Sequence, residues 1–136
     1  PRMLGQAIQL YRDNFQPSEY LSQPYVSMGV PTIIAKTDEE AQYLATTPYQ
    51  RILNMLRGTR GHLPQPVTSM DGLWSVSEQR AVQDFYALAQ IGSADTVRQG
   101  LQKLLEQYAV DEFIFTCDIY DPEQRLNNFS ALSDMK

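Results

Sequence analysis

Arg57, Arg60, His62 and Trp74 fall within one stretch, RGTRGHLPQPVTSMDGLW, which covers residues 57–74. Two guanidinium groups in a glycine-rich loop offer the charge and the donors that a phosphate or carboxylate needs. Without such a partner they are solvated loop charges. His62 is the single histidine and Cys117 the single cysteine, too few ligands for a metal centre, so no metal is expected. Among glycine and proline, His62 reads as a solvated residue. Cys117 closes an apolar run and reads as a buried, inert thiol rather than a nucleophile. Asp38, Glu39 and Glu40 occupy the first turn of a helix, where capping and the helix dipole account for them. Neither a GxGxxG nor a P-loop is present. Asp118 follows the run VDEFIFTC. If that run is a barrel strand, Asp118 lies at the end that carries active sites, which makes it a candidate site residue. Trp74, the single tryptophan, is expected to anchor the loop on the domain.

The elements that must position these residues follow from periodicity. Residues 2–15 form a helix with Leu4, Ile8, Tyr11 and Phe15 on one face, closed by Pro17. Residues 25–35 are a mostly apolar strand, as suits one covered on both faces. Pro31 argues against a central position, because it cannot donate to a ladder. Thr37 to Glu40 form a capping box that opens a helix with Ala41, Leu44 and Ala45 inward. Pro48 interrupts it, with Thr47 able to cap a new start, and Ile52, Leu53 and Leu56 carry the stripe on to Gly58. Whether the helix runs past Pro48 stays open. Ser75 to Glu78 is a second capping box, opening a helix with Val82, Phe85, Leu88 and Ala89 that ends at Ile91-Gly92. Ser93 caps a further helix with Val97, Leu101, Leu104, Leu105 and Tyr108 on one face. Residues 110–117 are a buried strand. Asp121-Pro122 starts the last helix, with Leu126, Phe129 and Leu132 inward. Alternating helices and strands predict an α/β fold with about two parallel strands, and two alone make a poor parallel sheet.

The totals narrow the choice of function. The chain has 136 residues, about one domain, with 43% hydrophobic and 10% aromatic residues, enough for a core. Its 16 acidic and 11 basic residues give a formal net charge of -5, which argues against nucleic acid. No basic amphipathic helix and no apolar run of membrane-spanning length occur, so no membrane partner is expected. One cysteine excludes an internal disulfide and fits a reducing, cytoplasmic setting. The chain begins with Pro1 inside a helical pattern and shows no signal peptide, so these residues are expected to belong to something longer.

Five stretches in order, VPTIIAKTDEEAQYLATT, LRGTRGHLPQPV, LWSVSEQ, IGSADTVRQGLQKLL and DEFIFTCDIYDPEQRL, resemble the C-terminal portion of bacterial-luciferase-like, flavin-dependent monooxygenases, closest to the alkanal-monooxygenase-like branch. The resemblance covers nearly the whole chain. It implies a TIM (β/α)8 barrel of which residues 1–136 are a single C-terminal segment: the first strand resembles barrel strand seven, residues 110–117 resemble strand eight, and about 57–76 form a lid-like loop. By resemblance the cofactor is reduced FMN, supplied by a flavin reductase. The substrate is a small organic molecule such as an aldehyde, and the lid shields the flavin from water. Arg57, Arg60, Trp74 and Asp118 are then candidate cofactor-binding residues at lid and strand-end positions, and no catalytic residue is assigned. The sequence departs from the family pattern at Pro31 and at Tyr49-Gln50, and the loops that hold the flavin phosphate have no counterpart here. Alone, the chain is expected to be inactive and to cover its strand edges as a homodimer. The rival expectation is a non-enzymatic, dimeric α/β module derived from a barrel half. An acidic binding protein with an arginine loop for a small anion is a third.

Overall fold

A computed structural model describes residues 3–59 and 61–135. Among them the elements are α1 (Leu4–Asn14), β1 (Ser27–Ala35), α2 (Asp38–Leu56), α3 (Val76–Phe85), β2 (Gln90–Ser93), α4 (Ala94–Tyr108), β3 (Glu112–Thr116) and α5 (Pro122–Ser133). The sheet has three parallel strands in the order β2-β1-β3, one more than expected. The added strand is Gln90–Ser93, taken from the sequence as the end of a helix. That helix, α3, stops at Phe85, and four residues are too few for an alternation to register.

β1 changes partners along its length. Ser27 to Pro31 pair with Glu112 to Thr116 of β3, and Thr32 to Ala35 pair with Gln90 to Ser93 of β2. Pro31 therefore does stand in the central strand, against expectation. It is the last residue paired with β3 and precedes the first paired with β2, so its missing N–H falls at the joint between two ladders. Beyond that joint β3 no longer accompanies β1, and α5 supplies the acceptor a strand would. Asn128 Oδ1 accepts the Ile34 N–H at 2.8 Å, and its Nδ2 lies 3.5 Å from Thr32 Oγ1.

This contact sets the rotation of α5. Asn128 is fully buried, whereas Leu126 and Phe129 are 71% and 42% exposed; both were expected inward. Residues one and two positions apart do not share a helix face, so burying Asn128 turns its neighbours out. Leu132, four residues on, shares its side and lines a groove with Phe113 and Phe115.

α2 runs unbroken from Asp38 to Leu56 with Pro48 inside. Thr47 caps no new start; it is buried and donates to the Pro64 carbonyl at 3.0 Å. Pro48 removes the N–H that the Leu44 carbonyl would accept. Packing holds the two halves in line: Ala41, Leu44 and Ala45 meet Ile33, and Ile52 and Leu53 meet Met70 and Val82. At its start, Thr37 Oγ1 accepts the Glu40 N–H at 3.1 Å, while Glu40 reaches back to the Lys36 N–H rather than to Thr37. The Ser75 capping box of α3 is complete.

Side chains alternate across β1. Met28 and Val30 pack with Ile8 of α1, Leu104 of α4 and Val110, while Ile33 meets α2. The start of that second face, Ser27 and Gly29 with Ile114 beside Gly29, stays exposed.

α4 ends on Ala109, a non-glycine residue at φ 48°, and Arg12 of α1 donates to the Tyr108 and Ala109 carbonyls there. The left-handed conformation costs an alanine about 1–2 kcal/mol, more than the ~0.5–1 kcal/mol of backbone entropy that glycine gives up. Ala109→Gly is expected to raise the unfolding free energy by about 0.5–1 kcal/mol; a urea melt that shows no gain would reject this reading of the cap.

Candidate functional site

The C-terminal ends of the strands gather the residues with chemistry. β3 leads through Thr116 and Cys117 to Asp118. α2 brings Arg51 across from the turn after Pro48, and the chain between α3 and β2 brings Tyr86. One Arg51 terminal nitrogen donates to Asp118 Oδ2 at 2.7 Å and to the Tyr86 hydroxyl oxygen at 3.3 Å. Arg51 Nε is buried and has no partner among the described residues. Burial works against the Arg51 charge, but the Tyr86 hydroxyl and Asp118 outweigh it and hold the guanidinium above its ordinary pKa. The pair is half exposed, so its strength as an ion pair is modest; its value is in fixing three elements to one another.

Aromatic rings extend from this point. Tyr86 lies 5.6 Å from Tyr49, edge to face, and Tyr49 lies 6.1 Å from Trp74. Such contacts lock ring orientation as well as burying area. Burial raises the pKa of both Tyr49 and Tyr86. Cys117, expected to be buried, is half-buried beside Ala35 and Ile119, and that burial raises its pKa.

Two concavities meet at Pro31. One is a notch walled by Pro31, Thr32, Pro48, Tyr86, Ile91 and Asp118, with room of about 10 Å³ for the centre of a water-sized group. The other is an open hollow of about 270 Å³ formed by Gly29, Pro31, Asp84, Phe85, Ala87 and Leu88.

The stretch 57–74 lies back along α2 and is tied there. Thr46 Oγ1 accepts the Val67 N–H at 2.9 Å, Gln50 Nε2 donates to the Gln65 carbonyl at 2.9 Å, and Met70 is buried. Arg57 joins the two ends of the loop. Its guanidinium donates to both Glu78 carboxylate oxygens, at 2.7 and 3.0 Å, and to the Leu73 carbonyl at 2.9 Å. That guanidinium, then the Ser75 amide, holds the Glu78 pKa at about 2. Trp74 packs against Tyr49 in the cluster around Ile52 and Val82. His62 faces a groove with Arg51, Asn54 and Thr59. Arg60 lies outside the described residues.

Of the four candidate residues, then, Asp118 stands at the site, Trp74 reaches it through Tyr49, and Arg57 is engaged at the base of the loop. Arg51 and Tyr86 were not singled out from the sequence. The one local signal was the polar run Tyr49-Gln50-Arg51 interrupting the apolar stripe of α2. Among the described residues no group of three or more His, Cys, Asp or Glu could hold a metal, and no helix is long and apolar enough to cross a membrane.

No known family model matches the chain. It is 38% identical to a luciferase-like monooxygenase of Escherichia coli (strain K12) over 136 residues, all of this chain and 41% of that protein. It is 35% identical to the uncharacterized protein YvbT of Bacillus subtilis (strain 168) over 129 residues, 95% of this chain and 38% of that protein. The crystal structure of apo-MsnO8 superposes with a TM-score of 0.78 at 23% identity, covering 99% of this chain and 41% of that one. The chain thus spans well under half the length of these relatives.

Proposed function

We propose that the chain is the C-terminal part of a luciferase-like monooxygenase and a portion of its TIM barrel, and that the whole protein containing it uses reduced FMN and dioxygen to oxygenate a small organic molecule such as an aldehyde. The observation that carries this reading is the 38% identity to a luciferase-like monooxygenase along every residue of the chain. When bound, the flavin supplies the oxygen chemistry; the protein supplies orientation and a dry cavity.

The residues present fit one part of a flavin. Gly29 has no side chain and nothing within 4 Å of where a Cβ would stand. With the exposed Ile114 beside it, this stretch of sheet is a bare wall against which a planar ring can lie. The adjoining hollow carries one titratable side chain, the acid Asp84, which repels a phosphate. The phosphate is therefore assigned to other parts of the protein. Asp118 holds Arg51 at the strand ends, and Trp74, packed at a tilt against Tyr49, anchors the loop 57–74 as a cover that excludes water. Arg57 and Arg60 are the loop's candidate contacts.

Taken alone, the 136-residue chain is proposed to be inactive and to pair with a second copy through its unpaired strand edges. Reduced flavin is proposed to come from a separate reductase. The test is oxygen uptake by the complete native polypeptide, with FMN, a flavin reductase and an aldehyde. Aldehyde-dependent uptake supports the reading. A polypeptide that neither binds FMN nor consumes oxygen rejects it in favour of a non-enzymatic module. In the complete enzyme, Arg57→Ala is expected to loosen the loop and raise peroxide release severalfold at the expense of product; unchanged coupling would remove the loop from the water-excluding role.

A further inference from the structure

We propose that residues 64–74 are a fixed strap, seated by the hydroxyls of Thr46 and Thr47 and the amide of Gln50, and that they stay seated whether or not a ligand is bound. The inference builds on the reading of residues 57–74 as a cover and makes their second half a permanent wall instead of a gate.

The make-up of α2 raises the question. Thr46, Thr47 and Pro48 follow one another in the middle of the helix, and all three are buried. β-branched residues and proline are poor helix formers, so a helix that only filled the core would be better served by alanine or leucine. Buried hydroxyls also need partners. Thr47 finds its partner outside its own helix and donates to the Pro64 carbonyl at 3.0 Å. Thr46 donates to the Tyr43 carbonyl at 2.7 Å, and its oxygen accepts the Val67 N–H at 2.9 Å. One turn on, Gln50 Nε2 donates to the Gln65 carbonyl at 2.9 Å. Gln65 Nε2 in turn donates to the Tyr120 hydroxyl, past the end of β3, at 3.3 Å. The three α2 side chains all meet backbone groups, so what they hold is the path of the strap.

The strap itself is suited to being held. Pro64 and Pro66 fix φ and bring no N–H that needs a partner, so the segment gives up little chain freedom on docking. Met70 is buried with Ile52, Leu53 and Val82, and Val67 packs against the same cluster. At the far end, Arg57 donates to the Leu73 carbonyl. To lift as a gate, the strap would have to expose Met70 and strip the Thr47 hydroxyl of its acceptor in one movement. All of these contacts lie within this chain. A ligand must therefore enter past another part of the cover.

The test is hydrogen exchange at the Val67 amide in the complete native polypeptide, with and without FMN. The amide is expected to be protected in both states and to the same degree. Thr46→Val keeps the branched shape and removes the acceptor. It is expected to speed that exchange about tenfold, the worth of one hydrogen bond, while the Ile52 amide changes only by the global loss of stability. Thr46→Ser is expected to restore protection. Gln50→Ala, on the partly exposed flank of α2, is expected to speed Val67 exchange by a smaller factor and serves if the valine variant misfolds. An unprotected Val67 amide, protection that appears only with FMN, or unchanged exchange in either folded variant overturns the proposal. If Val67 is protected in a polypeptide that neither binds FMN nor consumes oxygen, the monooxygenase reading fails and the strap stands. Flavin-dependent oxygen uptake with an unprotected Val67 is the reverse.

Discussion

Replacing Gly92 by alanine is expected to destabilise the fold by about 1–3 kcal/mol, the usual range for forcing a methyl group into filled space. The added Cβ would stand 2.6 Å from Thr96 Cγ2, 2.8 Å from Thr96 Cβ and 2.7 Å from Asp38 Oδ1. Thr96 Cβ sits close to its own backbone and has little room to retreat. Asp38 is held as well, since its Oδ1 accepts the Ser93 N–H at 2.6 Å and its Oδ2 accepts from Thr96 Oγ1 at 3.1 Å. Gly92 is thus the point at which the end of β2, the start of α4 and the start of α2 come together. The loss is read as a lower urea midpoint at unchanged slope. Gly29→Ala, where a Cβ meets nothing within 4 Å, is the control. Equal midpoints for the two variants would show that the three elements are not tightly joined at Gly92.

Asn128→Leu is expected to cost a similar amount, about 1–3 kcal/mol, because it keeps a buried side chain of comparable bulk and removes the acceptor of the Ile34 N–H. Asn128 is fully buried and Ile34 nearly so, so water is poorly placed to substitute. The local signature is hydrogen exchange at the Ile34 amide, expected to speed up in the variant beyond what the global loss of stability accounts for. A variant as stable as the parent, with a protected Ile34 amide, would mean that another group satisfies that donor.

Both sites bear on what the amino-acid sequence disclosed. Long periodic helices, the Ser75 box and the apolar runs of β1 and β3 were legible because each is a local pattern with a local cause. Asp118 drew attention as a carboxylate directly after an apolar strand, and the structure sets it against Arg51. β2 was not legible: its four residues hold one large apolar side chain, and the ladder with β1 makes them a strand. Nor was the rotation of α5. Leu126, Phe129 and Leu132 make a credible inward stripe until a β1 amide that has lost its neighbour strand demands Asn128. At Pro48 an interruption was expected and the continuity of the helix was left open, because a proline removes one helical bond; the core on either side holds the helix through it. Arg51 and Tyr86 escaped for the same reason. Each is unremarkable in its own segment, and their meeting depends on three elements distant in sequence.

The contact between Asp38 and α4 also bears on where a charged ligand can go. The start of a helix after a parallel strand is a natural receiver of phosphate. Here the Ser93 amide and the Thr96 hydroxyl already hold a carboxylate of the same chain, and they lower its pKa. Asp38 is a tethered competitor, present at high effective concentration whatever the solution contains. An incoming phosphate at this rim would have to expel an internal surrogate before gaining anything. The start of α4 is therefore self-saturated toward anions.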